Sequence, residues 1–305
     1  MRFTLPLTAL ATLVACGTAA CQTSGDAAIR VMLLTGQSSI YHDWQKSSRR
    51  IQSILAETGL FDLSIATTPA TGEPMDTFAP DWSRYAVVIL DYDGDDWTPA
   101  TRESFERWLA AGGGLVLFHA ADNAFPAWPE FQRMAGVGGW RGRDESAGPK
   151  LRWRDGAAVL DSSPGIAQHP PQHDFRIDTR APAHPVMRGL PAVWMHANDE
   201  LYSQLRGPAE SVTILATAKA EESLRGATGE HEPILMAIAY GEGRVFHTTL
   251  GHAGPRDSEP IATLASVGFI VTLQRGTEWA ATGNVTQTVP ADFPGPDRPV
   301  LRSAP

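Results

Sequence analysis

Cysteine is nearly absent from this sequence: of 305 residues only Cys16 and Cys21 are cysteines, and both lie near the amino terminus. The rest of the chain therefore has no disulfide framework, no cysteine-ligated metal site and no catalytic thiol. Basic residues are also scarce, since 25 Lys and Arg oppose 34 Asp and Glu, for a net charge of -9. Such a chain lacks the basic patches that bind phosphate backbones, so no nucleic-acid partner is expected.

The amino-terminal apolar run, residues 5–15, is too short to cross a bilayer, which takes roughly 20 helical residues. It follows a positive charge at Arg2 and ends in small residues, as a secretory signal does. Residues 13–17 resemble a bacterial lipobox, which predicts a signal peptide at 1–15, lipidation of Cys16 and a linker at 16–28. We therefore expect an exported protein, periplasmic or on the cell surface, with a lipid anchor in a bacterial membrane. An ordinary signal cut near Ala20, which leaves no anchor, is the alternative.

The next part of the sequence alternates between apolar strands and amphipathic helices. Near-continuous apolar runs predict buried strands, and apolar residues at helical spacing predict helices between them. The strands are predicted at 29–36, 61–67, 85–91 and 115–119, and the helices at 44–58 and from Pro99 onward. Short connections favour a doubly wound, mostly parallel α/β sheet with helices on both faces. Ligands bind such sheets beyond the carboxyl ends of the strands.

The second half of the sequence is less regular. A strand is predicted at 211–219, and the turn Gly241-Glu242-Gly243 joins two strands into a hairpin. A last helix is predicted at 259–274. The expected domain spans 29–280, and the Pro-rich tail 281–305 is expected to trail along its surface.

Histidines and carboxylates recur in short clusters at predicted strand ends and loops. Histidine is the usual acid or base near neutral pH and the commonest metal ligand. Each cluster also has a structural interpretation, such as a helix cap for His42, a satisfied core histidine for His119, or a solvated corner for Asp199 and Glu200. The Pro-Pro pair between His169 and His173 favours a rigid loop over a helical metal motif. The clusters are His42-Asp43-Trp44, His119 to Asp122, His184-Pro185, His196 to Tyr202, and His247 with His252.

Together these clusters resemble the ThuA-like (trehalose-utilisation) family over residues 29–278. The most specific stretch is Gly243 to His252, GRVFHTTLGH. Further matching pieces are Gly36 with Tyr41 to Trp44, Gly112 to Leu115 leading to His119-Ala120-Ala121, His184-Pro185 with Gly189-Leu190-Pro191, and Asp199 to Tyr202.

The resemblance implies a class I glutamine amidotransferase-like, flavodoxin-like fold. In that fold a nucleophilic cysteine occupies a strand-to-helix turn, and here His119 takes the position of that cysteine. Because the domain has no cysteine, the resemblance does not imply glutamine hydrolysis.

The resemblance further implies a sugar-derived substrate and a sugar oxidoreductase in the same pathway. The leading hypothesis is an enzyme that cleaves or isomerises 3-keto sugars or glycosides by acid/base chemistry, with or without a divalent metal such as zinc. His119 is the expected base or metal ligand, and Asp199 and Glu200 are the expected ligand or acid. His196 is a further metal candidate beside His119 and Glu200. The expected substrate contacts are His42, Asp43, Trp44, His196, His247 and His252.

Two other functions stay open. A non-catalytic surface protein would bind carbohydrate by stacking sugar rings on tryptophans. A hydrolase of unmodified glycosides needs two carboxylates that flank the bond, and the side chains of adjacent Asp199 and Glu200 are expected to diverge. The tryptophans considered for stacking are Trp44, Trp97, Trp140 and Trp194.

Overall fold

The computed structural model describes Met1 and residues 27–302. Cys16, Cys21 and the expected signal cleavage site lie outside the described residues. The described strands are β1 (Ile29–Thr35), β2 (Phe61–Thr67), β3 (Val87–Leu90), β4 (Gly114–Phe118), β5 (Lys150–Arg154), β6 (Ala157–Asp161), β7 (His173–Thr179), β8 (Val193–Asp199), β9 (Val212–Ala218), β10 (Glu232–Tyr240) and β11 (Gly243–Thr248). The helices are α1 (Trp44–Ala56), α2 (Pro99–Ala110), α3 (Pro129–Ala135), α4 (Ala262–Ala265) and α5 (Val267–Thr282).

One large sheet organises the described chain, with strand order β2-β1-β3-β4-β11-β10-β9-β7-β8. The first five strands in this order run parallel, and the last four extend the sheet with antiparallel pairings. The expected α/β fold with its central sheet is confirmed. The remaining strands, β5 and β6, form a separate antiparallel hairpin.

Two hydrophobic cores lie on opposite faces of this sheet, because side chains alternate along each strand. On one face Val31 and Leu33 of β1 pack with residues of α1 and α5. On the other face Met32 and Leu34 of the same strand pack with residues of α2 and α3. Helices therefore cover both faces, as the doubly wound prediction requires.

Local signals set the boundaries of the first two long helices. The Asp43 carboxylate accepts hydrogen bonds from the backbone N–H groups of Gln45 and Lys46, so it caps α1. Thr98 caps α2, and Pro99 occupies the first helical position. The predicted hairpin of β10 and β11 is also present, with Gly241 at φ 58° in its turn.

The carboxyl-terminal prediction was wrong in detail. A helix predicted at 259–274 is two helices, α4 and α5, because Ser266 between them is extended and bridges to Leu301. The tail returns to the domain, where Phe293 packs on the ring of Trp194. Within residues 27–302 no helix is both long and apolar enough to cross a bilayer.

Candidate functional site

Four side chains from distant parts of the sequence converge beyond the ends of the strands. His42 follows β1, His119 follows β4, His252 follows β11, and Glu200 follows β8. Each offers one nitrogen or oxygen atom, and these four atoms all lie within 4.8 Å of one another. We call His42, His119, Glu200 and His252 the histidine–glutamate cluster.

His119 sits directly at the end of β4, in the turn that leads into a short 3₁₀ helix. Its φ of 47° lies in the left-handed region, which costs energy for a residue with a Cβ and occurs at functional sites. The ring Nδ1 lies 2.7 Å from the carbonyl oxygen of Thr249 and can only donate to it. The unprotonated Nε2 therefore faces the cluster. Burial lowers the pKa of His119 to about 3, so the ring is neutral at pH 7.

The other two histidines are oriented by polar neighbours. Nδ1 of His42 lies 3.0 Å from the Ser39 hydroxyl, and burial, with the nearby His119, lowers the pKa of His42 to about 3. Nδ1 of His252 lies 3.1 Å from the Glu200 carboxylate. Burial works against protonation of His252, but the Glu200 carboxylate outweighs it and raises the pKa of His252.

The donor set fits a divalent metal such as zinc. Three imidazoles and one carboxylate are common zinc ligands, and ligand atoms with Zn–N bonds of about 2.0–2.1 Å stand roughly 3.3 Å apart. Small side-chain rotations would bring the four atoms to that spacing. The Thr249 carbonyl holds the second nitrogen of His119, as outer partners of metal-binding histidines do. Nδ1 of His252 is buried and has no well-aligned hydrogen bond, so the cluster leaves it available as a ligand.

Tyr202 and His169 adjoin the cluster. The Tyr202 hydroxyl lies 3.0 Å from Nε2 of His119, and burial together with the charge of Glu200 raises the pKa of Tyr202 well above its usual value. Nδ1 of His169 donates to the Pro170 carbonyl at 2.8 Å. Its Nε2 lies 3.6 Å from the Glu200 carboxylate.

An open cavity of about 900 Å³ lies over the cluster. His42, His252 and Glu200 line it together with Tyr202 and His169. Its other walls carry aliphatic, aromatic, basic and acidic side chains, including Ile40, Tyr41, Asp93, Trp140, Arg141 and Arg256. The arrangement suits a polar small molecule larger than a single ion.

Comparison with known proteins identifies the family. The sequence profile of the ThuA family, described as trehalose utilisation, matches residues 30–280. The chain belongs to the ThuA family. A solved ThuA-like protein from Parabacteroides merdae is 44% identical and superimposes with a TM-score of 0.87, over 90% of this chain and 98% of that chain. A second, from Bacteroides uniformis, is 17% identical with a TM-score of 0.56, over 85% and 96% of the two chains. No curated protein matches the sequence.

ThuA membership confirms the resemblance drawn from the sequence. The structure further shows which of the expected site residues lie together and which lie elsewhere. It brings together His42, His119, Glu200 and His252. It places Asp199 just beneath them, fully buried, where the carboxylate accepts hydrogen bonds from the backbone N–H groups of Gly251 and His252. Asp199 thus positions His252, and its side chain diverges from that of Glu200, as the sequence predicted.

Three other residues that the sequence marked as candidates, His196, His247 and Asp43, lie outside the histidine–glutamate cluster. His196 is fully buried, and its two ring nitrogens face Asp199 at 2.8 Å and the Ser266 hydroxyl at 3.0 Å, so neither is available to a metal or substrate. His247 points from β11 into the core, with its Nδ1 bonded to the carbonyl of Ala135. The Asp43 carboxylate caps the amino terminus of α1. For these three, the expected ligand or contact roles are replaced by structural ones.

Of the four tryptophans considered for sugar stacking, only one lines the cavity. Trp97 and Trp194 are core residues, and Trp44 on α1 is not among the cavity-lining residues. Trp140 does line the cavity, and its ring lies 4.5 Å from that of Tyr202.

Sequence reasoning missed His169 as a site residue. Reciprocal backbone hydrogen bonds between Gln168 and Ser203 place it beside Tyr202. The Pro170-Pro171 pair was the available signal, because a rigid loop can fix the position of a neighbouring side chain without a helix. Here Nδ1 of His169 is held by the Pro170 carbonyl.

Proposed function

We propose that this ThuA protein is an enzyme that cleaves or isomerises 3-keto sugars or glycosides with the help of a divalent metal. The observation that carries the proposal is the histidine–glutamate cluster at the floor of an open cavity, beside Tyr202, whose raised pKa keeps it protonated, and beside His169. Membership of a family described as trehalose utilisation supports a sugar-derived substrate.

The chemistry starts from the acidity that a ketone at carbon 3 gives to the proton on carbon 2. A base takes that proton, the electron pair forms the C1=C2 bond, and the bond from carbon 1 to the glycosidic oxygen breaks. The departing oxygen then takes a proton, which yields an alcohol and an unsaturated keto sugar. This reaction needs a base, an acid and a group that stabilises charge on the keto oxygen.

The residues of the site fit these three needs. His42, His119, His252 and Glu200 would hold the metal, which when bound with one coordination position open to the substrate would supply Lewis acidity to the keto oxygen. The Tyr202 hydroxyl, held protonated by burial, can donate a hydrogen bond or a proton to a sugar oxygen. His169 lines the cavity, and it is the residue to which we assign the role of base.

We also propose that the protein is exported and anchored through Cys16, because residues 13–17 resemble a lipobox. A sugar oxidoreductase that makes the 3-keto substrate is the partner enzyme this chemistry needs.

The test is to incubate the purified protein with methyl 3-keto-α-D-glucoside and with its unoxidised parent, with and without EDTA, and to follow the products by proton NMR. We expect turnover of the keto sugar only, and loss of that turnover with EDTA or in His119→Ala. His173→Ala, which removes a histidine outside the cavity, is the matched control. If zinc-loaded protein broadens the sugar signals but forms no product, the enzyme proposal fails and a carbohydrate-binding role replaces it.

A further inference from the structure

Asp257 faces the edge of the His252 ring that points away from Glu200. Oδ2 of Asp257 lies 3.7 Å from Nε2 of His252, while Nδ1 of the same ring lies 3.1 Å from the Glu200 carboxylate. The side chain of His252 is 8% exposed and that of Asp257 is 30% exposed, so water only partly screens the pair. The two ring nitrogens of His252 therefore have separate carboxylate neighbours, one inside the histidine–glutamate cluster and one outside it.

A tight turn brings the Asp257 carboxylate to this position. The turn runs from Gly254 to Asp257 and has Pro255 at its second position, where proline is favoured. The N–H of Asp257 donates to the Gly254 carbonyl at 3.1 Å, and the N–H of Gly254 donates to Oδ2 of Asp257 at 2.7 Å. The turn thus holds the same carboxylate oxygen that faces His252.

Gly254 leaves the space in which the two side chains approach each other. A Cβ at this position would stand 3.0 Å from Nε2 of His252 and 3.2 Å from Oδ2 of Asp257. The φ of Gly254 is outside the left-handed region, so the backbone conformation itself would accept alanine. What glycine supplies here is room for the imidazole and the carboxylate.

Lys46, in the first turn of α1, holds this tight turn in place. Its ammonium donates hydrogen bonds to three backbone carbonyls, at 3.1, 3.0 and 2.8 Å, those of Gly254, Pro255 and Asp257. An ammonium group has three N–H donors, so each of them has an acceptor. The turn that carries Asp257 is therefore tied to the helix that follows His42, another residue of the cluster.

A metal-binding histidine uses one ring nitrogen as the ligand, and an outer carboxylate that accepts from the other nitrogen fixes the orientation and the tautomer of the ring. We propose that Asp257 is this outer partner of His252 and that Lys46 positions Asp257 through the turn. Nε2 of His252 keeps its proton and donates it to Oδ2 of Asp257, which leaves the lone pair of Nδ1 for the metal. This inference rests on the proposed function, to whose metal site it adds two positioning residues.

The test measures the zinc affinity of the purified protein by competition with a coloured chelator, which needs no substrate. Asp257→Ala should weaken zinc binding about 10–100-fold, as the loss of an outer partner does. Asp257→Asn keeps an oxygen acceptor and should restore most of the affinity. Asp297→Ala, which removes an exposed carboxylate of the tail, is the matched control and should bind zinc as wild type does. Equal zinc affinities of Asp257→Ala and wild type would overturn the proposal.

A double variant tests whether Lys46 acts through Asp257. Lys46→Met keeps the aliphatic stem but removes the ammonium, so it should also weaken zinc binding. Adding Lys46→Met to Asp257→Ala should then cause no further loss of zinc affinity, because both changes remove the same contact to the ring. Additive losses would overturn the positioning role of Lys46.

Proton–nitrogen NMR of the zinc-loaded protein with labelled histidines separates this role from a purely structural role of the turn. Wild type should show zinc on Nδ1 of His252 and a proton on Nε2, and this proton should exchange with water faster in Asp257→Ala. Zinc on Nε2 would overturn the proposal. If wild type binds zinc but converts no 3-keto sugar, the proposed function fails while these measurements still decide the role of Asp257. If wild type binds no zinc, the metal site and this inference fail together.

Discussion

Asp199 supports the site from beneath, and replacing it with asparagine tests that role directly. Its Oδ2 accepts hydrogen bonds from His196 Nε2, the Thr263 hydroxyl and the Gly251 N–H, at 2.8, 2.6 and 2.8 Å. Its Oδ1 accepts from the N–H groups of Glu200 and His252, at 2.8 and 3.1 Å. In asparagine, an NH₂ group takes the place of one of the two carboxylate oxygens, and this group cannot accept hydrogen bonds. The donors that contacted that oxygen must then face another donor.

The expected cost follows from the bonds lost. If the asparagine NH₂ group replaces Oδ2, His196 and the Thr263 hydroxyl can both accept from it, and only the bond from the Gly251 N–H is lost. If it replaces Oδ1, the two bonds from the N–H groups of Glu200 and His252 are lost. At about 1.5–3 kcal/mol for each lost bond, Asp199→Asn should lower the free energy of unfolding by about 1.5–6 kcal/mol. The loop that carries His252 loses its anchor as well, so zinc affinity should fall in the same variant.

Urea denaturation, followed by tryptophan fluorescence, measures this effect. Asp174→Asn is the matched control, because exposed Asp174 accepts one hydrogen bond, from the N–H of Asn198. Burial alone would raise the pKa of Asp199, but the hydrogen bonds from His196 and the Thr263 hydroxyl help to hold it below its ordinary value. The carboxylate therefore stabilises the protein above the unfolded pKa of about 3.9, and the gap between wild type and variant should narrow as pH falls below it. An Asp199→Asn variant within about 1 kcal/mol of wild type at pH 7 would refute this reasoning.

Three further predictions concern the surroundings of the site and the core. Ser39→Ala removes the hydroxyl partner of His42 Nδ1 and should weaken zinc binding about tenfold in a chelator competition assay. Exposed Ser146→Ala should leave the zinc affinity unchanged. Equal zinc affinities of the two variants would contradict the metal site. Burial raises the pKa of Asp91 to about 7, so its stabilising contribution is complete below pH 4 and disappears as pH rises through 7. The unfolding free energy of wild type relative to Asp91→Asn should therefore fall by up to about 4 kcal/mol between pH 4 and 8; parallel pH profiles would disprove the shift. A Cβ on Gly268 would collide with the Trp194 ring, so Gly268→Ala should cost about 1–3 kcal/mol in urea denaturation, whereas Gly295→Ala, with open space around it, should cost little; equal costs would count against this packing.

Much of the fold was predictable because its signals are local. Apolar runs marked β1, β3 and β4, and Thr98-Pro99 marked the start of α2. The split between α4 and α5 was not predictable, because Ser266 is held extended by contacts with Leu301 and with His196, far away in sequence. Local periodicity contains no information about such contacts.

By itself, the sequence determined that the domain has no cysteine chemistry, that it is built on a parallel sheet and that it is ThuA-like. It also marked His42 and His119 as strand-end residues. Only the tertiary structure decided that His252 and Glu200 join them, while His196 and His247, which look similar in sequence, are buried in structural networks. The physical reason is that a side chain's direction depends on strand register and on the loop that follows, and these are set by packing between residues far apart in the chain.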